Sequence, residues 1–551
     1  MSTDRDPPEL DLDERQLAEF RRELMQLPAR KRLEALLEPK DAGALVRALP
    51  ASDLYLTIHD LGLADATDLV QLASPEQFQV MVDLAAWKST EVDEQTLLLW
   101  LRAAWDPDGD SFIEKLVGVD LELLEILLRR MIRVHDLEED PDVNPEGVTM
   151  STPEGRYLIE FLVEGIEQAA IRQVVDALIS RDPFEAVRLL EAVRWEVPSE
   201  LEEAALQFRT ARLSELGFPP LEEALSLYAY RDPAPYASER TVQDETALAH
   251  ASPPDLLSAG LRELDQEERD TLEAQLRLLS NQALVAEGAD PGDVEAQRQT
   301  LEQVRDTLQL GLEFITGGAP EAAVAALRAH HLRHLFQVGF SLGLKLRFRA
   351  DRLLKQPLAR AGGITWLMPP ESRMVAGLRR RRPVRVLEVE GADPVAFRSR
   401  REVYLTSLAL DRAEAQVAIF SAILGADPDD AKSRLEARAG SSLPVDPPSI
   451  WAGALAQTLL TGTPGLDPIS PSALADLVAR ALDDQGQVRP EARETAVDSL
   501  AVRIPESAHG ELRRLVEQEL GRWADELGPP RAKGSPLEPI AGVVLPVAVL
   551  Q

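Results

Sequence analysis

Apolar residues recur three and four positions apart through most of the chain, a spacing that places them on one face of an α-helix. The clearest stripe consists of Leu301, Val304, Leu308, Leu312 and Ile315. Charged residues between these positions, such as Glu302 and Arg305, then face water. Residues 254–286 form a second amphipathic segment, so the two predict an antiparallel helical hairpin joined by EGADPGD.

Only one segment favours a strand, PVRVLEVEG at residues 383–391, where apolar and polar residues alternate. The pattern as a whole therefore predicts an all-α protein. We expect a multi-unit helical array with an N-terminal helical repeat, a central helical hairpin and at most one or two short strands.

A Leu-Pro dipeptide opens each unit of the N-terminal repeat. Leu27-Pro28 and Leu49-Pro50 lie 22 residues apart, and DAGALV at 41 and DATDLV at 65 lie 24 apart. Proline suits the first turn of a helix and aspartate suits the position before one, so each unit predicts two short helices. Ser74-Pro75 gives a third start. The stacked faces are expected to bury Leu36, Leu45, Leu56, Leu69 and Phe78.

Loops rich in proline, glycine and acidic residues divide the chain further. The expected domains are an N-terminal tail (1–22), a helical-repeat domain (23–135), an acidic loop (136–155), a helical unit (156–231), a loop (232–252), the hairpin with a basic block (253–400), a C-terminal helical unit (401–527) and a tail (528–551).

Composition narrows the chemistry. The chain of 551 residues has no cysteine, which excludes disulfides, thiol nucleophiles and thiolate metal sites. Its most apolar segment, residues 539–550, is too short to span a bilayer and contains a proline, so we expect a cytoplasmic protein. The net charge of −35 disfavours broad binding to nucleic acids or anionic membranes.

Positive charge is concentrated in one segment. Residues 321–401 contain 17 Lys and Arg against 6 Asp and Glu, a balance of +11, so the rest of the chain carries −46. The candidates for binding an anionic partner are Arg379, Arg380, Arg381, Arg382 and Arg385. The interpretation we favour is that this block neutralises acidic helices of its own chain, because acidic residues are abundant and aromatic residues are sparse within it.

Histidines offer the next candidate. His330 and His334 are four residues apart, a spacing that can chelate a metal from one face of a helix. The glutamate of an HExxH motif is missing and no third ligand is near, so we predict no metal and no cofactor. His59-Asp60 and His135-Asp136 resemble the His-Asp pairs of phosphohydrolases, but no upstream histidine precedes His59.

WDPDGDSFIEKL, residues 105–116, places Asp106, Asp108 and Asp110 where an EF-hand has its first three ligands. Position 6 is Ser111 instead of glycine and position 12 is Val117 instead of glutamate. We therefore interpret the segment as a turn followed by a helix that begins with a capping box, in which serine and glutamate accept each other's free backbone amides.

Two resemblances follow from longer motifs. The repeat Leu27-Pro28 through Leu49-Pro50 resembles the helical repeats of the cytosolic N-terminal domain of magnesium transporters, over residues 27–100. LASPEQFQ (72–79), RLSELGFPPLEEALSLYAY (212–230) and LFQVGFSLGL (335–344) resemble an uncharacterised bacterial family of unknown function, which implies no catalytic residues.

The sequence thus favours a binding scaffold or regulatory adaptor that uses helical-array surfaces, with a protein as its partner. One alternative is an enzyme whose site is assembled from distant residues around His330, His334 and the arginines of 345–385. The other is a nucleic-acid-binding protein that uses the basic block.

Overall fold

The computed structural model describes residues 14–106, 111–195, 198–238, 255–358, 366–386, 393–425, 427–439, 446–466 and 469–527. The chain divides into two compact units. Unit 1 comprises residues 1–227 and 273–302, and unit 2 comprises residues 228–272 and 303–551. Each unit is therefore built from two separate segments of the sequence.

Unit 1 is mainly helical, as its hydrophobic periodicity predicts. Its first segment contains α1 (Glu14–Gln26), α2 (Ala29–Leu37), α3 (Ala42–Ala48), α4 (Ala51–Leu61), α5 (Thr67–Leu72), α6 (Pro75–Ala85), α7 (Glu94–Ala103), α8 (Ser111–Gly118), α9 (Leu121–Met131), α10 (Gly165–Arg181), α11 (Pro183–Trp195), α12 (Pro198–Glu215) and α13 (Leu221–Leu225). One hydrophobic core runs from Leu24 through Leu213 and includes Val294 of the second segment.

The repeat starts are mostly where the sequence places them. Pro28 and Pro50 directly precede α2 and α4, and Asp41 precedes α3. Ser74 precedes α6 and forms a capping box with Gln77. The prediction for Asp65 is wrong, because this residue ends a short 3-10 turn and Ala66 precedes α5.

The expected core positions are largely correct. Leu36, Leu45, Leu69 and Phe78 are buried, whereas Leu56 is only partly buried. The predicted tail of residues 1–22 is wrong for its last part, because α1 begins at Glu14 and places Leu24 in the core.

Two small antiparallel sheets interrupt the helices of unit 1. The first pairs β1 (Trp87–Lys88) with β2 (Glu91–Val92). The second contains β3 (Ile132–Asp136), β4 (Thr149–Ser151) and β5 (Tyr157–Phe161) in the order β3-β5-β4. Val134 lies opposite Ile159 and Ile132 lies opposite Phe161, and these four side chains are buried.

These five strands correct the expectation of one or two. The predicted acidic loop 136–155 begins inside β3 and contains β4, and the predicted helical unit from residue 156 starts with β5. Strands this short are held by pairing with residues distant in sequence, which a local pattern does not reveal.

The hairpin spans both units. It is formed by α15 (Gln266–Glu287) and α16 (Val294–Thr316), preceded by α14 (Leu256–Glu263). Of the predicted stripe, Val304, Leu308 and Leu312 are buried, Ile315 is partly buried and Leu301 is 37% exposed.

The rest of unit 2 is helical in the described residues. It contains α17 (Pro320–Ala329), α18 (Leu332–Leu353), α19 (Glu371–Leu378), α20 (Arg400–Leu424), α21 (Pro428–Ala439), α22 (Pro447–Thr461), α23 (Pro471–Ala481), α24 (Pro490–Ala501) and α25 (His509–Leu527). Gly311 of α16 and Gly339 of α18 allow close backbone approach, since a Cβ on Gly339 would lie 2.2 Å from the Thr307 carbonyl oxygen.

The predicted strand at 383–391 is reduced to one bridge between Arg385 and Val395, while residues 387–391 lie outside the described part. The predicted tail 528–551 and most of the loop 232–252 also lie outside it. Within the described residues, no helix combines the length and apolar character needed to cross a membrane. Helix dominates the described structure, so the all-α prediction is confirmed.

Candidate functional site

Three of the five candidate arginines make contacts inside unit 2. Arg379 ends α19, and its Nε lies 3.4 Å from Oδ1 of Asp351. The Arg385 Nη2 lies 2.9 Å from Oε1 of Glu402. The Arg382 guanidinium stacks on Tyr228, 3.8 Å from the ring centroid, and burial lowers the pKa of this arginine.

Arg380 and Arg381 have exposed side chains. Their backbone carbonyl oxygens accept hydrogen bonds from Nη1 of Arg347, at 3.3 and 3.0 Å, which holds the segment after α19 against α18. Charge neutralisation within the chain is therefore observed for Arg379 and Arg385, and a partner-binding role for the five arginines stays a prediction.

The two candidate metal-binding histidines do not share a helix. His330 follows the last residue of α17 with extended backbone angles, and His331 precedes α18. The assumption of one continuous helical face is thus wrong. The pKa of His334 is lowered, first by burial and then by nearby positive charge that includes Arg231.

The His-Asp pairs belong to ion-pair networks of unit 1. Asp60 accepts hydrogen bonds from Arg32 and Arg298, which together lower its pKa against the opposing effect of burial. Asp136 is buried beside Arg156 and Arg194, at 2.8 and 3.4 Å. These contacts assign the aspartates a structural role in pairing arginines.

Of the candidate calcium loop, residues 107–110 lie outside the described part. Ser111 starts α8, where its hydroxyl donates to the Gln71 carbonyl oxygen at 3.2 Å and accepts from Lys115. The predicted capping box thus gives way to contacts with α5. Among the described residues, no group of three or more His, Asp or Glu side chains could hold a metal ion.

A groove on unit 1 is the surface with the most distinct chemistry. It lies between the start of α9, one face of α11 and the start of α12, and has a volume of about 660 Å³. Five glutamates line it, namely Glu122, Glu125, Glu185, Glu191 and Glu200. Arg188 is the single cation among its lining residues, so their balance is −4. We refer to this surface as the acidic groove.

Trp195 forms the apolar end of the acidic groove. The side chain is 68% exposed, although large aromatic side chains usually bury most of their surface. Its Nε1 donates to Oε2 of Glu191 at 3.2 Å, and the Arg194 guanidinium stacks on the indole at 5.1 Å. The indole is therefore fixed in place while much of its surface faces solvent.

Some carboxylates of the acidic groove are occupied and others are available. Glu185 accepts from Arg188 at 2.8 Å, and Glu191 accepts from Arg194 and from the Tyr157 hydroxyl. In the part of the chain that the structure describes, Glu122 and Glu200 have no ion-pair partner. The groove therefore presents uncompensated negative charge beside an exposed indole.

A family model that describes a family of unknown function (DUF6178) matches residues 9–547 of the chain. The chain belongs to the DUF6178 family. No curated protein and no solved structure matches this DUF6178 chain. The comparisons confirm the resemblance to an uncharacterised family, and they give no support to the resemblance of residues 27–100 to magnesium transporters.

The groove residues of the DUF6178 chain were missed by the sequence patterns. A signal was present in α11, where Phe184 and Trp195 are 11 residues apart, about three helical turns, and so lie near one face. Ala186, Leu189, Leu190 and Val193 already supply the buried face. Two large aromatic residues off that face indicate an exposed apolar surface, and Phe184 is indeed 85% exposed.

Proposed function

We propose that this protein acts by binding another protein, as a scaffold or adaptor, and that the acidic groove is its binding surface. The observation that carries the proposal is the fixed, solvent-facing Trp195 at the end of a groove with five glutamates. Tryptophan is the residue type most often responsible for binding energy at protein interfaces.

The charge of the acidic groove defines the partner. A balance of −4 attracts a cationic segment and repels nucleic acids and other polyanions. The indole face favours Arg or Lys through cation–π contact, and Leu121, 46% exposed, offers a neighbouring apolar contact. The expected partner is a basic peptide segment that also carries an aromatic or large aliphatic residue.

Neither the acidic groove nor the larger pocket of unit 2 described below is lined by a histidine. Converging histidine and carboxylate side chains would support the enzyme alternative. An open groove with one aromatic anchor instead supports binding.

A peptide selection tests the proposal. The immobilised full-length protein is used to select a phage-displayed random peptide library, and the enriched peptides are synthesised and titrated by fluorescence anisotropy. We expect sequences that combine Arg or Lys with an aromatic or large aliphatic residue. Trp195→Ala and Glu200→Gln should each weaken binding at least about tenfold, or ~1.4 kcal/mol.

Matched controls lie on the same helices. Phe208→Ala removes another exposed aromatic residue of unit 1, and Glu202→Gln removes a carboxylate of α12 that does not line the groove. Both variants should bind like the wild type. Enrichment of acidic peptides, or equal binding by the groove variants and their controls, would refute the proposed surface.

A further inference from the structure

Unit 2 contains a second pocket that is independent of the acidic groove. It lies between the start of α19 and the first half of α20 and has a volume of about 810 Å³, within the size range of small-molecule sites. Its charged lining consists of Arg373, Arg385, Arg412, Glu371 and Glu402. We refer to it as the arginine pocket.

Glu371 and Arg412 form one side of the arginine pocket. The Glu371 side chain is only 1% exposed, and its Oε1 accepts from Nε of Arg412 at 2.7 Å. Its Oε2 accepts from Nε2 of Gln416 at 3.2 Å. Arg412 itself is 39% exposed. Because the contact with Glu371 uses Nε, the guanidinium is oriented while its two terminal nitrogens are left for a ligand.

Arg385 and Glu402 form the other side. The backbone of Arg385 is fixed by two hydrogen bonds with Val395, at 2.8 and 3.0 Å. Glu402 accepts from Nη2 of Arg385 through Oε1 and from the backbone amides of Arg398 and Ser399 through Oε2. The Nε of Arg385 is buried and has no hydrogen-bond partner among the described residues.

The balance of charge in the arginine pocket is positive. Three arginines and two glutamates line it, which leaves +1, and both glutamates are already engaged. The remaining wall is mainly apolar and includes Met374, Leu405 and Leu408. Leu405 is 41% exposed, so a ligand would cover apolar surface that now faces solvent.

We propose that the arginine pocket binds a small amphipathic anion, with a carboxylate or phosphate head held by Arg412 and Arg385 and an apolar body against Met374 and Leu405. Guanidinium groups match both heads, because their planar donors pair with two oxygens of either anion. A cationic head would instead meet three arginines and two glutamates that are already paired.

Isothermal titration calorimetry and thermal shift on the full-length protein test this proposal with four probes of equal chain length: octanoate, octyl phosphate, octylamine and octyl glucoside. We expect octanoate or octyl phosphate to bind saturably and to raise the melting temperature, because a ligand that binds only the folded state stabilises it. The tighter of the two identifies the head group. Octylamine and octyl glucoside should bind at least about tenfold more weakly, or ~1.4 kcal/mol.

Two variants locate the site without disturbing the buried Glu371. Arg385→Gln removes a guanidinium while Glu402 keeps its backbone donors, and Leu405→Gln makes an exposed wall residue polar. Both should weaken binding of the anionic probe at least about tenfold. Arg398→Gln, an exposed arginine outside the pocket, is the matched control and should bind normally. Absence of anion binding, equal binding of octylamine, or insensitivity to both pocket variants overturns the proposal.

Discussion

Lys115 is a buried cation that connects two helices of unit 1. The residue is 1% exposed, and its Nζ donates to the Gln71 carbonyl oxygen at 2.7 Å and to the Ser111 hydroxyl. Burial lowers the pKa of Lys115 to about 8 from its ordinary value of 10.5. Hydrogen bonds to the C-terminal turn of α5 thus place an ammonium where water hardly reaches it.

This pKa predicts how stability depends on pH. Between pH 8 and 10.5 the folded protein has released the Lys115 proton while the unfolded chain still holds it, so the free energy of unfolding should rise with pH. The gain attributable to this residue is at most about 3 kcal/mol, since one pKa unit corresponds to about 1.4 kcal/mol.

Urea unfolding of the wild type and Lys115→Met at both ends of this window measures the effect. Other groups oppose it, because burial raises the pKa of Tyr55 to about 12, so the difference between the two proteins is the relevant quantity. The wild type should gain stability relative to the methionine variant as pH rises. Parallel pH profiles would show that Lys115 does not titrate in this range.

At the scale of elements, the segment after α19 separates four consecutive arginines into two groups. Arg379 pairs with Asp351 and Arg382 stacks on Tyr228, whereas the side chains of Arg380 and Arg381 are exposed. Four identical residues in the sequence therefore have different environments in the fold.

We expect Arg382→Gln to lower stability by about 1–2 kcal/mol, because a cation–π contact shielded from water is worth about that much. Arg381→Gln, one residue away, should change stability by less than about 0.5 kcal/mol, as is usual for exposed positions. Thermal unfolding compares the two variants. If Arg382→Gln melts like the wild type and loses salt-sensitive retention on heparin, the basic block serves an anionic partner instead.

The elements show which features local sequence can predict. Ser74-Pro75-Glu76-Gln77 carries its own capping chemistry, so the start of α6 was predictable. The pairing of β3 with β5 depends on residues about 25 apart, such as His135 and Glu160, and was not. The groove also depends on three helices brought together by packing, so the sequence showed its residues but not their assembly. His330 and His334 failed for a related reason, because a helix boundary falls between them.

At the scale of the molecule, the connection between α15 and α16 completes unit 1. The Tyr55 hydroxyl donates to the Gly292 carbonyl oxygen at 2.8 Å, and Asp290 pairs with the buried Arg209 at 3.2 Å. Val294 is 1% exposed and belongs to the same core as the first segment. The first 227 residues therefore require contacts from residues 290–298 to close their core.

Gly292→Ala should disrupt this closure. A Cβ at Gly292 would lie 1.7 Å from the Leu84 carbonyl oxygen, and that backbone has no room to move aside. Overpacking of this kind costs about 1–3 kcal/mol. Gly510→Ala, where a Cβ meets no atom within 4 Å, is the control and should not lower stability. Calorimetric unfolding of the two variants distinguishes them, and equal melting temperatures would contradict the role assigned to residue 292.

The division of each unit into two segments sets an order on biosynthesis. A ribosome releases the first 227 residues before residues 273–302, and between them it releases residues 228–272, which belong to the other unit. The nascent chain must therefore hold an incomplete unit 1 while the start of unit 2 emerges. Assembly of the two units overlaps in time, in contrast to proteins whose contiguous domains fold one after another as they leave the ribosome.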